Sequence, residues 1–191
     1  LSLDSGDEFG TSVSLSDDAS LLVVGAQGDD GTAGTNTGAA YLFRFSDSDF
    51  SNGERAGIIG SGYSNTGDVA ITLDAGDKLG SAVALDADGN RLAIGVSNDG
   101  GFGASDQTGA VLLVSFGDTT FTNGVLSATI GDGYTGGNNV DVTNLGKKDF
   151  FGTAVALNDT GDRLAVGAPG DDGSSAANAG AVYLFSFGGD D

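Results

Sequence analysis

The chain repeats itself three times, and that limits its fold more than any other feature. "EFGTSVSLSDDASLLVVGA" (Glu8–Ala26) aligns with "KLGSAVALDADGNRLAIGV" (Lys78–Val96) and with "FFGTAVALNDTGDRLAVGA" (Phe150–Ala168). The leading glycines, Gly10, Gly80 and Gly152, are 70 and 72 residues apart. Further along, "GAAYLFRF" (Gly38–Phe45), "GAVLLVSF" (Gly109–Phe116) and "GAVYLFSF" (Gly180–Phe187) follow one another at steps of 71 and 71. A unit of this length cannot bury its apolar face alone, so copies must pack on one another. The spacing gives one repeat domain over 1–191, with repeat 1 at 7–76, repeat 2 at 77–148 and an incomplete repeat 3 at 149–191. "LSLDSGDEFG" at the start matches "ITLDAGDKLG" (Ile71–Gly80), so residues 1–6 are expected to be the last strand of a preceding unit. With no Met anywhere, the chain reads as an excerpt or a processed product.

Each unit predicts about four antiparallel strands. "TSVSL" alternates polar and apolar residues, as a half-buried strand does. "LLVVGA" and "AAYLFRF" are short apolar runs bounded by glycine, and read as strands buried on both faces. "VAITL" alternates again and is expected as the fourth. "SDDAS", "DADGN" and "NDTGD" are hairpin turns between the first two strands. Gly accounts for 35 residues and Pro for one, too much Gly for helices and without collagen's period, while 39% hydrophobic residues argue against disorder. The fold class is therefore all-β: propeller-like blades, in three repeats of ~71 residues, forming a partial propeller or one completed by further sequence or another chain, since closed propellers have ~4–8 blades. An open stack of repeats is the alternative.

Composition removes several chemistries. Cys and His are absent, so there is no thiolate, no disulfide and no imidazole base or ligand. The net charge of -20 repels nucleic acid and anionic membrane, and no apolar run approaches the length of a membrane span. Catalysis by paired carboxylates needs two unlike acids in one pocket. Here the acids recur with the repeats, and the only Glu residues, Glu8 and Glu54, do not. No catalytic residue is assigned and no enzyme is expected.

The acids that recur after the second strand are Asp29 and Asp30, Asn98 and Asp99, and Asp171 and Asp172, in "VGAQGDDG", "IGVSNDGG" and "VGAPGDDG". Two readings apply. The residues cap tight turns through backbone N–H groups, or they hold a Ca²⁺ ion with help from loop carbonyls. The turn reading is the simpler one. Tyr63 and Tyr134 each follow an "IGxG" pattern on a loop and are expected to be exposed, where they would contact a protein or glycan. Phe102 and Phe121 are loop aromatics to which the sequence assigns no role.

"FGTAVAL", "DRLAVGAPGDDG" and "GAVYLF" together resemble the FG-GAP repeat of integrin α-subunit β-propellers and their bacterial relatives. The resemblance covers nearly the whole chain and is closest in the third copy. It implies a propeller used extracellularly or at the cell surface for adhesion, with protein or glycan as partner, or self-association into an oligomer or filament. In the family, some blades carry a calcium loop of the form Asp-x-Asp/Asn-x-Asp-Gly-x-x-Asp ahead of the "GAP" strand. Its last ligand position is Leu21, Arg91 and Arg163 here, so that loop is not carried over. Two functions follow as expectations: a non-catalytic interaction or adhesion module, or a calcium-stabilised structural repeat of a surface stalk or filament.

Overall fold

A computed structural model of the chain describes residues 1–31, 34–101, 106–173 and 176–188. Among them there is no helix, and the strands fall into three sheets, one per copy of the repeat. The first sheet contains β1 (Phe9–Leu15), β2 (Leu21–Ala26), β3 (Ala39–Arg44), β4 (Glu54–Gly60) and β5 (Val69–Ala70), in that order. The second repeats it with β6 (Leu79–Leu85), β7 (Arg91–Val96), β8 (Ala110–Ser115), β9 (Val125–Gly131) and β10 (Val140–Asp141). The third has β11 (Ala154–Leu157), β12 (Arg163–Ala168) and β13 (Ala181–Ser186). The first four strands of each complete sheet form an antiparallel meander, and the short fifth runs parallel to the fourth. These are successive propeller-like blades, and they do not close into a barrel.

Two expectations about strands are corrected. The fourth strand is "ERAGIIG" (Glu54–Gly60), and "VAITL" pairs only at Val69 and Ala70, in parallel. Alternation there is real but concerns burial alone: Val69 and Ile71 are buried, whereas Ala70 and Thr72 are exposed. Leu1–Gly6 is likewise no strand and ends in a turn, as its counterpart Ile71–Gly76 does.

The hairpins form as their turn residues dictate. Ser16, Asp86 and Asn158 occupy the same place in the three copies. Each accepts, through its side-chain oxygen, the amide of the residue that opens the next strand: Leu21 at 3.0 Å, Arg91 at 3.1 Å and Arg163 at 2.8 Å. Consecutive turns are also tied together, because the Asp17 amide donates to the Ala87 carbonyl and the Ala87 amide to the Asp159 carbonyl. Arg91, at the position where the family's calcium loop has its last ligand, donates from Nη1 to the Gly161 carbonyl of the next turn, at 3.2 Å.

The sheets pack face to face. A core of Leu42, Ile59, Val69, Val83, Leu85 and Leu112, with their neighbours, joins the first two sheets. Ala93, Val111, Ile130, Phe151, Leu164 and Val166 join the second to the third. The phenylalanine-glycine motif is the interlock. Leu79 and Phe151 form parallel bridges to Gly38 and Gly109 of the preceding sheet, and the backbone of Gly80 and Gly152 lies against Gly25 and Gly95. A Cβ on Gly25 would stand 2.1 Å from the Gly80 carbonyl oxygen, and one on Gly95 would stand 1.9 Å from that of Gly152. Only glycine permits this approach, which is why the glycine of the "FG" or "LG" pair and that of the "VGA" or "IGV" strand recur together.

Candidate functional site

The acids after the second strand of each sheet lie at equivalent corners. Asp29 is buried. Its Oδ1 accepts the Gly31 amide at 2.7 Å and the Tyr63 hydroxyl at 2.6 Å, and its Oδ2 accepts the Tyr41 hydroxyl at 2.6 Å. Its own carbonyl accepts the Gly38 amide at 2.8 Å. Asp99 holds the Gly101 amide at 2.7 Å and the Tyr134 hydroxyl at 2.9 Å. Asp171 holds the Gly173 amide at 2.7 Å and the Tyr183 hydroxyl at 2.6 Å. The amide two residues on makes each corner an Asx turn. The tyrosine fastens that turn to its sheet, from β3 and the loop after β4 in the first copy, from the loop after β9 in the second, and from β13 in the third. In the second copy Leu112 stands where the others have a strand tyrosine, and among the described tyrosines Tyr134 supplies the hydroxyl.

The second members of the pairs do less. Among the described residues, the exposed Asp30 and Asp172 side chains accept loop amides from Asn36 at 2.7 Å and Asn178 at 2.9 Å. Asn98 donates its backbone amide to the Asp77 carbonyl at 3.1 Å. Tyr63 and Tyr134 are not fully exposed as expected: both rings are half-buried and their hydroxyls face Asp29 and Asp99. Burial, with the carboxylate at the hydroxyl, raises both tyrosines well above their ordinary range and pushes Tyr183 up to about 12. Phe102 lies outside the described residues.

A second buried acid stands near each corner: Asp7, Asp77 and Asp149. Each accepts the backbone amide three residues before it, from Asp4, Asp74 and Gly146, all at 2.6 Å. Each presents its carbonyl to the corner of its own copy, at Gly28, Asn98 and Gly170. Burial pushes Asp77 up to about 6, with the charges of Asp99 and Asp74 adding to the rise. Burial raises Asp99 as well, against the pull of the Gly101 and Tyr134 hydrogen bonds. None of the ion pairs among the described residues includes these acids, and no group of three or more His, Cys, Asp or Glu there is arranged to hold an ion.

A pH effect follows. Asp77 titrates higher folded than unfolded, so its contribution to stability is complete below about pH 4 and is lost as the pH rises through about 6. Asp77→Asn keeps the oxygen that accepts the Asp74 amide and removes the buried charge. We expect the variant to be more stable than the parent by about 1–2 kcal/mol at pH 7.5, a value reduced for partial solvation, and to converge with it near pH 4. Urea unfolding at the two pH values measures this. A gap of equal size at both would contradict it.

Phe121, a loop aromatic with no role expected, has a side chain among the most buried of the described residues and packs edge-on to Phe116, ring centroids 4.9 Å apart. A signal for it was present: "FSNG" (Phe50–Gly53) and "FTNG" (Phe121–Gly124) are 71 residues apart and each leads into a fourth strand.

The class of protein defined here is a stack of propeller-like β-sheet repeats, interlocked by phenylalanine-glycine loops and latched at their corners by buried aspartates. The model of the FG-GAP repeat matches residues 3–43 and 144–185, so the first and third copies are FG-GAP repeats. The middle copy keeps their strand order and interlock. No curated protein matches the chain. FG-GAP repeats are typically extracellular interaction modules and generally non-catalytic. No helix among the described residues is long and apolar enough to cross a membrane.

Proposed function

We propose that this chain is a non-catalytic interaction module of an extracellular or cell-surface protein, and that it mediates assembly through the outer faces of its end sheets, with a second copy as the partner. One observation carries this reading: the residues exposed on those faces are the counterparts of residues buried between the sheets. Val13 on the first sheet is 64% exposed, whereas Val83, its counterpart in the second copy, is 8% exposed against the first sheet. On the third sheet Leu184 is 79% exposed, whereas its counterpart Leu42 is 0% exposed. Phe9 and Leu15 extend the first face and Val182 the second. The two faces are of opposite kind, so one chain's third sheet would receive another's first, as the second sheet receives the third. Apolar faces of this sort mark association sites.

Sedimentation velocity tests it. The parent is expected to self-associate with rising concentration, and Val13→Asp and Leu184→Asp each to remain monomeric with an unchanged circular dichroism spectrum. A mixture of the two variants should form a dimer, because each retains the face the other lacks. A parent that stays monomeric at high concentration, or variants that associate as it does, would overturn the reading.

The calcium-stabilised structural repeat is the second reading, favoured by the net charge of -20 and by the recurring buried pairs Asp7 with Asp29, Asp77 with Asp99 and Asp149 with Asp171. Unfolding in EDTA and in Ca²⁺ separates the two, since an ion bound only by the folded state raises the melting temperature.

A further inference from the structure

Only two of the chain's asparagines precede glycine, Asn52 and Asn123, and they hold the same place in the first and second copies. Each lies in the loop before the fourth strand of its sheet, is exposed, and has a left-handed φ, of 50° and 52°. Asparagine tolerates that conformation better than most residues. Packing keeps the next residue glycine. A Cβ on Gly124 would lie 2.7 Å from Val69 Cγ2 and 2.8 Å from Phe116 Cε1, and one on Gly53 would lie 2.6 Å from Phe45 Cε1. The turn selects asparagine and the packing selects glycine. Together they leave an unhindered path from the side-chain amide carbon to the following main-chain nitrogen.

The two loops differ at the groups that would react. The Asn52 side chain donates from Nδ2 to Ser46 Oγ at 3.2 Å. Among the described residues, neither the Asn123 side chain nor the Gly124 amide makes a hydrogen bond. The chain is anchored on both sides of Asn123. Phe121 is buried in the core that joins the first two sheets, and Gly124 lies against Val69 and Phe116 of the same core. The Gly117 amide closes the loop on the Thr122 carbonyl at 3.1 Å.

We propose that Asn123 is a self-modifying site, converted by its own backbone into aspartate and isoaspartate, and that the isoaspartate form loosens the contact between the first and second sheets. The Gly124 nitrogen gives its proton to solvent base, attacks Asn123 Cγ and closes a succinimide ring. The Cγ–Nδ2 bond breaks, and the side-chain nitrogen takes up a proton and leaves as ammonia. Water then opens the ring. Cleavage between the Gly124 nitrogen and Cγ gives aspartate. Cleavage between that nitrogen and the Asn123 main-chain carbonyl gives isoaspartate, whose main chain runs through Cβ and Cγ and is longer by a methylene. Phe121 and Gly124 cannot both keep their places across the longer link, because both are packed to contact.

The test incubates the folded parent at mildly alkaline pH, beside a synthetic peptide of residues 118–128 in the same buffer. Peptide mapping by mass spectrometry follows each asparagine, and isoaspartyl methyltransferase labelling follows isoaspartate. Asn123 in the protein is expected to convert at a rate within about tenfold of the peptide's, since an exposed loop opens at little cost, and ahead of Asn52 and every other asparagine. Conversion slower than that, or first at another asparagine, would overturn the assignment. The converted parent should melt below fresh protein. Asn123→Gly suits the left-handed φ and has no amide to lose, and it should keep its melting temperature through the same incubation. A converted parent that melts with the fresh protein, or an equal fall in Asn123→Gly, would overturn the link to the sheet contact.

Discussion

Gly95→Ala should destabilise the protein by about 3 kcal/mol or more, lowering its melting temperature by about 10 °C. The added methyl would lie 1.9 Å from the Gly152 carbonyl oxygen and 3.0 Å from Ser81 Oγ. The obstacle is backbone, so no rotamer change relieves it. Gly152 is fixed in turn by its amide bond to the Gly167 carbonyl and by the bridge from Phe151 to Gly109. The second and third sheets would have to separate, loosening Phe151, Leu164 and Val166 from Ala93, Val111 and Ile130. Gly188→Ala is the control, since nothing lies within 4 Å of its added Cβ. Denaturant unfolding of both variants measures the effect. A Gly95→Ala protein within about 1 kcal/mol of the parent would mean that the interlock does not hold the sheets together.

Much of this architecture was legible because it repeats. "FG", "VGA" and "GAxxLF" in the first and third copies, with "LG", "IGV" and "GAVLLV" in the middle one, mark the number of sheets, their first three strands and the turns between them. The fourth strand escapes the sequence pattern because Glu54 and Arg55 open it at an exposed end and Ala56 and Gly57 follow them, so "ERAGIIG" lacks the apolar continuity of β2 and β3. "VAITL" took its place because Val69 and Ile71 face the next sheet alternately, and a sequence pattern records burial, not hydrogen bonding. Asp29, Asp99 and Asp171 make Asx bonds that a local sequence pattern can suggest, but the pattern says nothing of the tyrosines that meet them. Tyr63 and Asp29 are 34 residues apart in sequence and meet only when the loop after β4 folds back over the corner. Phe121 has the same history: its burial depends on a neighbouring sheet, which no local pattern announces.

The corner latch gives the second large expected effect. Asp29→Ala removes the acceptor of three donors at once, the Gly31 amide and the Tyr41 and Tyr63 hydroxyls. Tyr41 is buried, so its hydroxyl is left with only the neighbouring Tyr63 hydroxyl, while half-buried Tyr63 recovers some hydration. At about 1–3 kcal/mol for each buried group left unsatisfied, a loss of about 2–4 kcal/mol is expected. Asp29→Asn retains an oxygen acceptor and sheds a buried charge, and should fall between that variant and the parent. Asp30→Ala removes the exposed bond to the Asn36 amide and should cost under about 1 kcal/mol.

The most direct test of the account is thermal unfolding of the parent, Asp29→Ala and Asp30→Ala in EDTA and in millimolar Ca²⁺, at constant ionic strength with Mg²⁺ as control. If the recurring aspartates are latches, Asp29→Ala melts well below the parent by the same margin in both media, and Asp30→Ala stays close to the parent. A margin that opens only in Ca²⁺, shared equally by Asp29→Ala and Asp30→Ala, would contradict the account and make the corners ion sites.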